Sequence, residues 1–191
     1  MTFLCCALSV GWCVGCASIK PRPSVADNLP AAQSANATQP SPVAGTGEFL
    51  SALNATVTPP YDWRLDIKEP TKPNVKHYVW ISPTGNTAFG VMKFSLPLPL
   101  PHDPVLWVFL QEMRKSEGAA TLISKIWDRN LRGVRFEAEG GRYRLRTNFT
   151  IRGLTGWMTY AGTLRDQPVD VDELREAENA REGTRYGKPQ K

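Results

Sequence analysis

Hydrophobic and polar positions divide the 191-residue chain into three stretches. From Phe3 to Ala17 nearly every position is apolar, from there to about residue 46 hardly any large apolar residue occurs, and beyond that periodic patterns begin. Tyr61, Trp63, Leu65 and Ile67 alternate with Asp62, Arg64 and Asp66, the period of a half-buried strand. Lys76 to Ile81 and Thr87 to Leu96 flank Ser82-Pro83-Thr84-Gly85-Asn86 and so predict a hairpin. Pro97, Pro99 and Pro101 cannot donate to a ladder and mark a strand exit or sheet edge. Asp103 as N-cap, Pro104 as first helical residue, and Leu106, Phe109, Leu110 and Met113 predict a helix that Gly118 closes. Thr121 to Trp127 fits either state, with Leu122 and Ile126 suiting a helix and Thr121, Ile123 and Lys125 a strand face; the strand reading is preferred.

The next segment predicts a second hairpin. Val134, Phe136 and Ala138 alternate with Arg135, Glu137 and Glu139; Tyr143, Leu145, Thr147, Phe149 and Ile151 alternate with Arg142, Arg144 and Arg146. A two-residue turn at Gly140-Gly141 would place Glu139 opposite Arg142, Ala138 opposite Tyr143, Glu137 opposite Arg144, Phe136 opposite Leu145, and Arg135 opposite Arg146. Gly153 to Gly156 turns the chain again, and Trp157 to Leu164 makes a last strand. Asp170 and Glu173 form the pattern of a capping box, opening a helix through Leu174, Ala177 and Ala180 towards Gly187. The expected fold is α+β: an antiparallel sheet of about six to seven strands with two helices packed against it, over residues 47–191. Trp63, Trp80, Trp107, Trp127 and Trp157 are spread over five predicted elements, which suits a core.

The formal charge of +5 is concentrated rather than diffuse. Between Arg129 and Arg152 seven arginines meet two glutamates, a surplus equal to the charge of the whole chain. In the predicted register Arg135 opposite Arg146 is uncompensated, with Arg132 and Arg152 nearby. Like charges held opposite each other cost stability, so these four are the candidates for recognising a phosphate, a carboxylate or an acidic glycan. No stacking aromatics share that face, which disfavours nucleic acid. His77 and His102 have neither the spacing nor the neighbours of a metal site, and no nucleophile elbow, phosphate loop or dinucleotide fingerprint occurs. No catalytic, metal or cofactor residue is therefore assigned. Sequence leaves open a hydrolase whose carboxylates come from distant positions, and a structural spacer.

All four cysteines, Cys5, Cys6, Cys13 and Cys16, fall in the first sixteen residues, so the rest of the chain can form no disulfide. The apolar run is of signal-peptide length and short of a membrane span. Gly15 before Cys16, with Ala17-Ser18 after it, resembles the lipobox of bacterial lipoproteins. That resemblance implies removal of residues 1–15 and acylation of Cys16. Cys13 stands where a lipobox usually has Leu, and Met1-Thr2-Phe3-Leu4 lacks the basic residues of a leader. Residues 16–46 then read as a disordered linker, too poor in apolar side chains to offset the entropy of ordering. About thirty such residues reach about 30 Å.

Three strands, a helix, about four strands and a final helix, opened by Pro60-Tyr61-Asp62-Trp63, resemble the PsbP-like superfamily over about residues 55 to 187. The resemblance implies an antiparallel sheet with helices packed against it, and an assembly or binding role without catalysis; it carries over no site residue. The sequence thus points to a lipid-anchored protein of the bacterial cell envelope, outside the cytoplasm. Its expected partners are the membrane, through the anchor, and an envelope protein or anionic glycan.

Overall fold

The computed structural model describes residues 47–68 and 74–187. The predicted leader, Cys16 and the linker to residue 46 lie outside the described residues. In chain order the elements are β1 (Glu48–Leu50), β2 (Ala55–Val57), β3 (Arg64–Lys68), β4 (Val75–Ile81), β5 (Thr87–Ser95), α1 (His102–Glu117), β6 (Ala120–Asp128), β7 (Gly133–Gly140), β8 (Tyr143–Arg152), β9 (Thr155–Leu164), α2 (Val171–Gly183) and β10 (Arg185–Tyr186).

Seven strands form one antiparallel sheet in the order β3-β4-β5-β9-β8-β7-β6, and β1-β2-β10 form a smaller one. Two meanders make the large sheet. The first, β3 to β5, ends at the proline-rich exit; α1 then carries the chain to the far edge, and the second meander, β6 to β9, returns until β9 pairs with β5. A helix of 16 residues is about 24 Å long, and the four strand spacings from β5 to β6 measure about 19 Å. One helix of this length therefore suffices for the crossover.

Alternation gives the sheet two apolar faces, each with its own cover. On one, Met92, Phe94, Phe136, Phe149 and Met158 pack under Val105, Leu106, Phe109 and Met113 of α1. On the other, Trp80, Phe89, Val91 and Ala161 pack under Leu53, Ala55 and Val57 of the small sheet and Ala177 and Ala180 of α2. The small residues of α2 let it lie close on β5 and β9. Glu173 near its N-terminus accepts from the Thr84 amide at 3.1 Å and hydroxyl at 2.6 Å, and Glu176 accepts from the Trp63 indole at 3.1 Å.

The α+β prediction holds, and the 121–127 segment is a strand. Four details differ. α1 begins at His102 with Pro101 as N-cap; Asp103 lies inside the first turn, where its carboxylate meets Lys125 at 3.0 Å instead of capping. α2 starts after Asp170 as expected, with the Asp170 carboxylate accepting from the Asp172 and Glu173 amides, but stops at Gly183. Its predicted continuation forms β10, drawn off by pairing with β2. Tyr61 and Ile67 are exposed while Trp63 is buried, because β3 is an edge strand with a short cover. Trp107 and Trp127 are 62% and 58% exposed, so two of the five tryptophans lie outside the core.

Candidate functional site

Along β7, Val134, Phe136 and Ala138 face α1, which leaves Arg135, Glu137 and Glu139 on the α2 side with Arg144, Arg146 and Asn148 of β8. The register differs from the expected one by two residues. Glu139 pairs with Arg144, Glu137 with Arg146, and Arg135 with Asn148. β7 runs through Gly140 and β8 starts at Tyr143, so Gly141 and Arg142 make the turn. Neither glycine has positive φ. Their missing Cβ atoms serve a close approach to α1: a Cβ on Gly140 would crowd Met113 and Glu117, and one on Gly141 would fall on the Glu117 carbonyl.

The predicted opposition of Arg135 and Arg146 therefore does not occur. Arg135 Nε bonds Asp128 Oδ2 at 2.6 Å, and its Nη1 bonds Glu182 Oε1 at 2.8 Å. Arg146 bonds Glu178 Oε1 at 3.2 Å and approaches Glu137 at 3.5 Å, while Arg144 reaches Glu137 at 2.6 Å. Arg181, almost fully buried, donates to Asn148 Oδ1 at 2.8 Å and pairs with Glu178 and Glu182. Amide donation from Leu131, with support from Arg135, holds the Asp128 carboxyl below its ordinary range; the Glu178 bond pushes Arg146 up. This alternation of charge ties α2 to β7 and β8. Its exposed pairs contribute at most about 1 kcal/mol each.

The four candidates thus divide. Arg135 and Arg146 belong to the neutralised network. Arg132, in the β6–β7 turn at φ 50, and Arg152, whose Nη1 donates to the Tyr186 carbonyl at 3.1 Å, have no carboxylate partner among the described residues. His77 is hydrogen-bonded to the Tyr160 hydroxyl at 2.8 Å. His102 sits edge-on between Trp127 and Phe149, its Nε2 accepting from the Ile151 amide at 3.2 Å. Burial lowers its pKa, against the opposing pull of Asp103. Among the described residues, no group of three or more His, Cys, Asp or Glu side chains is arranged to hold a metal ion.

The feature that pattern reading missed is the outer edge of the sheet. Among the described residues β6 has a neighbour on one side, and Leu122, Ile123, Ile126 and Trp127 are all exposed, Ile126 at 64%. Leu122 and Trp127 share the α1 face with Ala138 and Val134, while Ile126 shares the α2 face with Arg135. Trp107 adjoins them. Asp103 and Arg114, four before and seven after it on α1, reach Lys125 and the Ala120 carbonyl, so their common stripe faces β6. A long edge whose outward amides and carbonyls have no strand partner among the described residues, rimmed by five large apolar side chains, is a template for another strand. A bulge between Leu122 and Ser124 and the Lys125 ammonium interrupt it in the middle. Apolar residues on both strand faces, at Leu122, Ile123 and Ile126, were the available signal, which the helix-or-strand ambiguity obscured.

Among solved structures, the chain is similar to cyanobacterial PsbP (CyanoP) from Synechocystis sp. PCC 6803, with TM-score 0.56, 11% identity, and coverage of 81% of this chain and 98% of that one. At that identity the likeness shows the fold, an antiparallel sheet flanked by helices. A Bacteroides thetaiotaomicron protein follows at TM-score 0.43, 14% identity, and coverage of 76% and 50%. LpqN, involved in cell envelope biogenesis of Mycobacterium tuberculosis, follows at TM-score 0.35, 15% identity, and coverage of 68% and 81%. No protein-family model and no curated protein matches the chain.

Proposed function

We propose that this chain is a lipid-anchored bacterial envelope protein whose folded domain works as a non-catalytic binding or assembly accessory, joining an envelope partner by strand addition at β6. The β6 edge carries the binding role: nine residues long and apolar on both faces, it has no neighbour strand on its outer side among the described residues. Main-chain pairing would supply affinity there, and side chains such as Trp107 and Trp127 would supply selectivity. The arginine–glutamate network supports the same reading from the other direction. Its carboxylates are engaged by guanidiniums that hold α2 in place, which is a structural use of charge rather than that of paired catalytic carboxyls. The lipobox-like Gly15-Cys16-Ala17-Ser18 supports the anchor.

Two experiments test the parts separately. Mass spectrometry of the native protein should find a mature chain starting at an acylated Cys16, and Cys16→Ser should leave the leader uncleaved. A native chain that keeps Met1 and enters the aqueous phase of a detergent split would remove the anchor. For the edge, a photoreactive residue at Ile126 or Trp107 should crosslink one envelope protein in intact cells, and one at exposed Val171 should not. Identical products from both surfaces, or capture of a second copy of this chain at β6, would overturn the partner reading.

A further inference from the structure

At one end of the domain, five cations stand apart from the network described above. Lys76 of β4 lies directly opposite Lys93 of β5, on the α2 side of the sheet, and like charges so placed are destabilising. Lys93 Nζ reaches the Ala52 carbonyl at 3.4 Å. Arg152 ends β8, and Arg185 donates to the Glu182 and Thr184 carbonyls. Arg132 occupies the adjoining turn, where the Thr150 hydroxyl donates to its carbonyl at 3.1 Å. Among the described residues none of the five has a carboxylate partner, whereas Arg135, Arg142, Arg144, Arg146, Arg165 and Arg181 each have one.

The register fixes how they are spread. Lys76, Lys93, Trp157, Thr150 and Gly133 stand in one row across β4, β5, β9, β8 and β7. That row is about 19 Å wide. Arg132 and Arg152 lie at its far end, and Arg152 bonds the carbonyl of the residue after Arg185. A single phosphate or carboxylate could engage two such cations at most; a plane of headgroups could engage all five. The chain enters the domain at the same place. Phe49 and Arg185 both pair with Thr56, one from either side, so the segment arriving from Cys16 joins about 10 Å from Arg185. Exposed Leu154, two residues after Arg152, adds an apolar tip to this end.

Resting on the lipid anchor of the proposed function, we infer that Lys76, Lys93, Arg132, Arg152 and Arg185 dock the domain on the anionic phospholipid surface of the membrane that holds the anchor. Tethering confines the domain near that surface, so weak screened attraction is enough to orient it. The docked state points the entry side of the domain at the lipid.

The mature lipidated chain carrying Leu154→Cys offers one free thiol for a fluorescent donor, since the other cysteines leave with the leader or are acylated. Reconstituted in vesicles containing phosphatidylglycerol and a headgroup acceptor, it should show energy transfer well above that in phosphatidylcholine alone, and added salt should abolish the difference. Each cation replaced by Gln should lower the docked-to-free ratio about fivefold, so Lys76→Gln/Lys93→Gln/Arg152→Gln/Arg185→Gln should give the phosphatidylcholine value. Arg114→Gln/Lys115→Gln/Arg165→Gln/Arg175→Gln, with the same net charge, should behave as the unmodified chain. Lys76→Gln/Lys93→Gln alone relieves the like-charge pair, so it should melt at a higher temperature while losing most of the transfer. Equal transfer in both lipids, or transfer unchanged in the folded Lys76→Gln/Lys93→Gln variant, would overturn the proposal. Cys16 acylation is scored separately by the mass of the N-terminal peptide. If it is absent, flotation of the unacylated chain with the same two vesicle types decides the patch alone.

Discussion

His102 is a hydrogen-bond acceptor in the folded chain, and that sets a pH dependence. Because Nε2 takes the Ile151 amide proton and burial disfavours the imidazolium, the folded state binds fewer protons near neutrality than the unfolded one. Stability should then be full above about pH 6.5 and fall as acid titrates the unfolded histidine. Thermal melts between about pH 7 and pH 5 should show this decline, and His102→Gln should flatten it. Gly90 shows a second dependence on a single atom. It pairs with Tyr160 on β9, and a Cβ at Gly90 would fall inside the Tyr160 ring. Gly90→Ala should destabilise by about 1 to 3 kcal/mol as overpacking does. Denaturant titration should show most of that loss removed in the background of Tyr160→Ala, because the colliding ring is then gone. Neither role was legible in sequence: an isolated histidine and a strand glycine declare nothing until the partner strand is known.

Elements were legible in proportion to how locally they are determined. Asp170 was readable as a cap because its acceptor and the amides it serves lie within three residues. Asp170→Ala should cost about 1 kcal/mol, and Asp170→Ser should restore most of it, measured by chemical denaturation. The β7–β8 hairpin was readable as a hairpin but not in register, since Gly140 and Gly141 answer to α1, twenty-odd residues upstream, rather than to turn geometry. That two-residue shift turned a supposed pair of opposed arginines into a neutralised network. At Asp103 the same confusion occurred in reverse: a plausible cap is spent on Lys125 of β6. Replacing Arg181 by Met should detach α2 more than any exposed arginine change. It is buried and leaves Asn148 and two glutamates short of a donor, so a loss of about 2 to 4 kcal/mol and faster amide exchange in α2 are expected.

For the whole molecule, composition and periodicity were enough to give an α+β domain with two helices on a sheet of about six to seven strands, of which the large sheet has seven. The small sheet escaped notice because its strands are two or three residues long and β10 had been absorbed into a helix. Which surfaces stay open was not legible either. Trp107 and Trp127 look like core residues until the edge position of β6 is known, and Lys76, Lys93, Arg132, Arg152 and Arg185 look scattered until the strand order brings them to one end.

The β5–β9 junction bears on the export proposed for this chain. Paired residues of those strands lie 60 to 76 positions apart, from Ser95–Thr155 to Thr87–Thr163, and theirs is the seam that unites the two meanders. Closing so long a loop is slow compared with forming either meander. On the proposed export route, a nascent polypeptide threaded through a narrow secretion pore would therefore stay pliable until β9 has been synthesised.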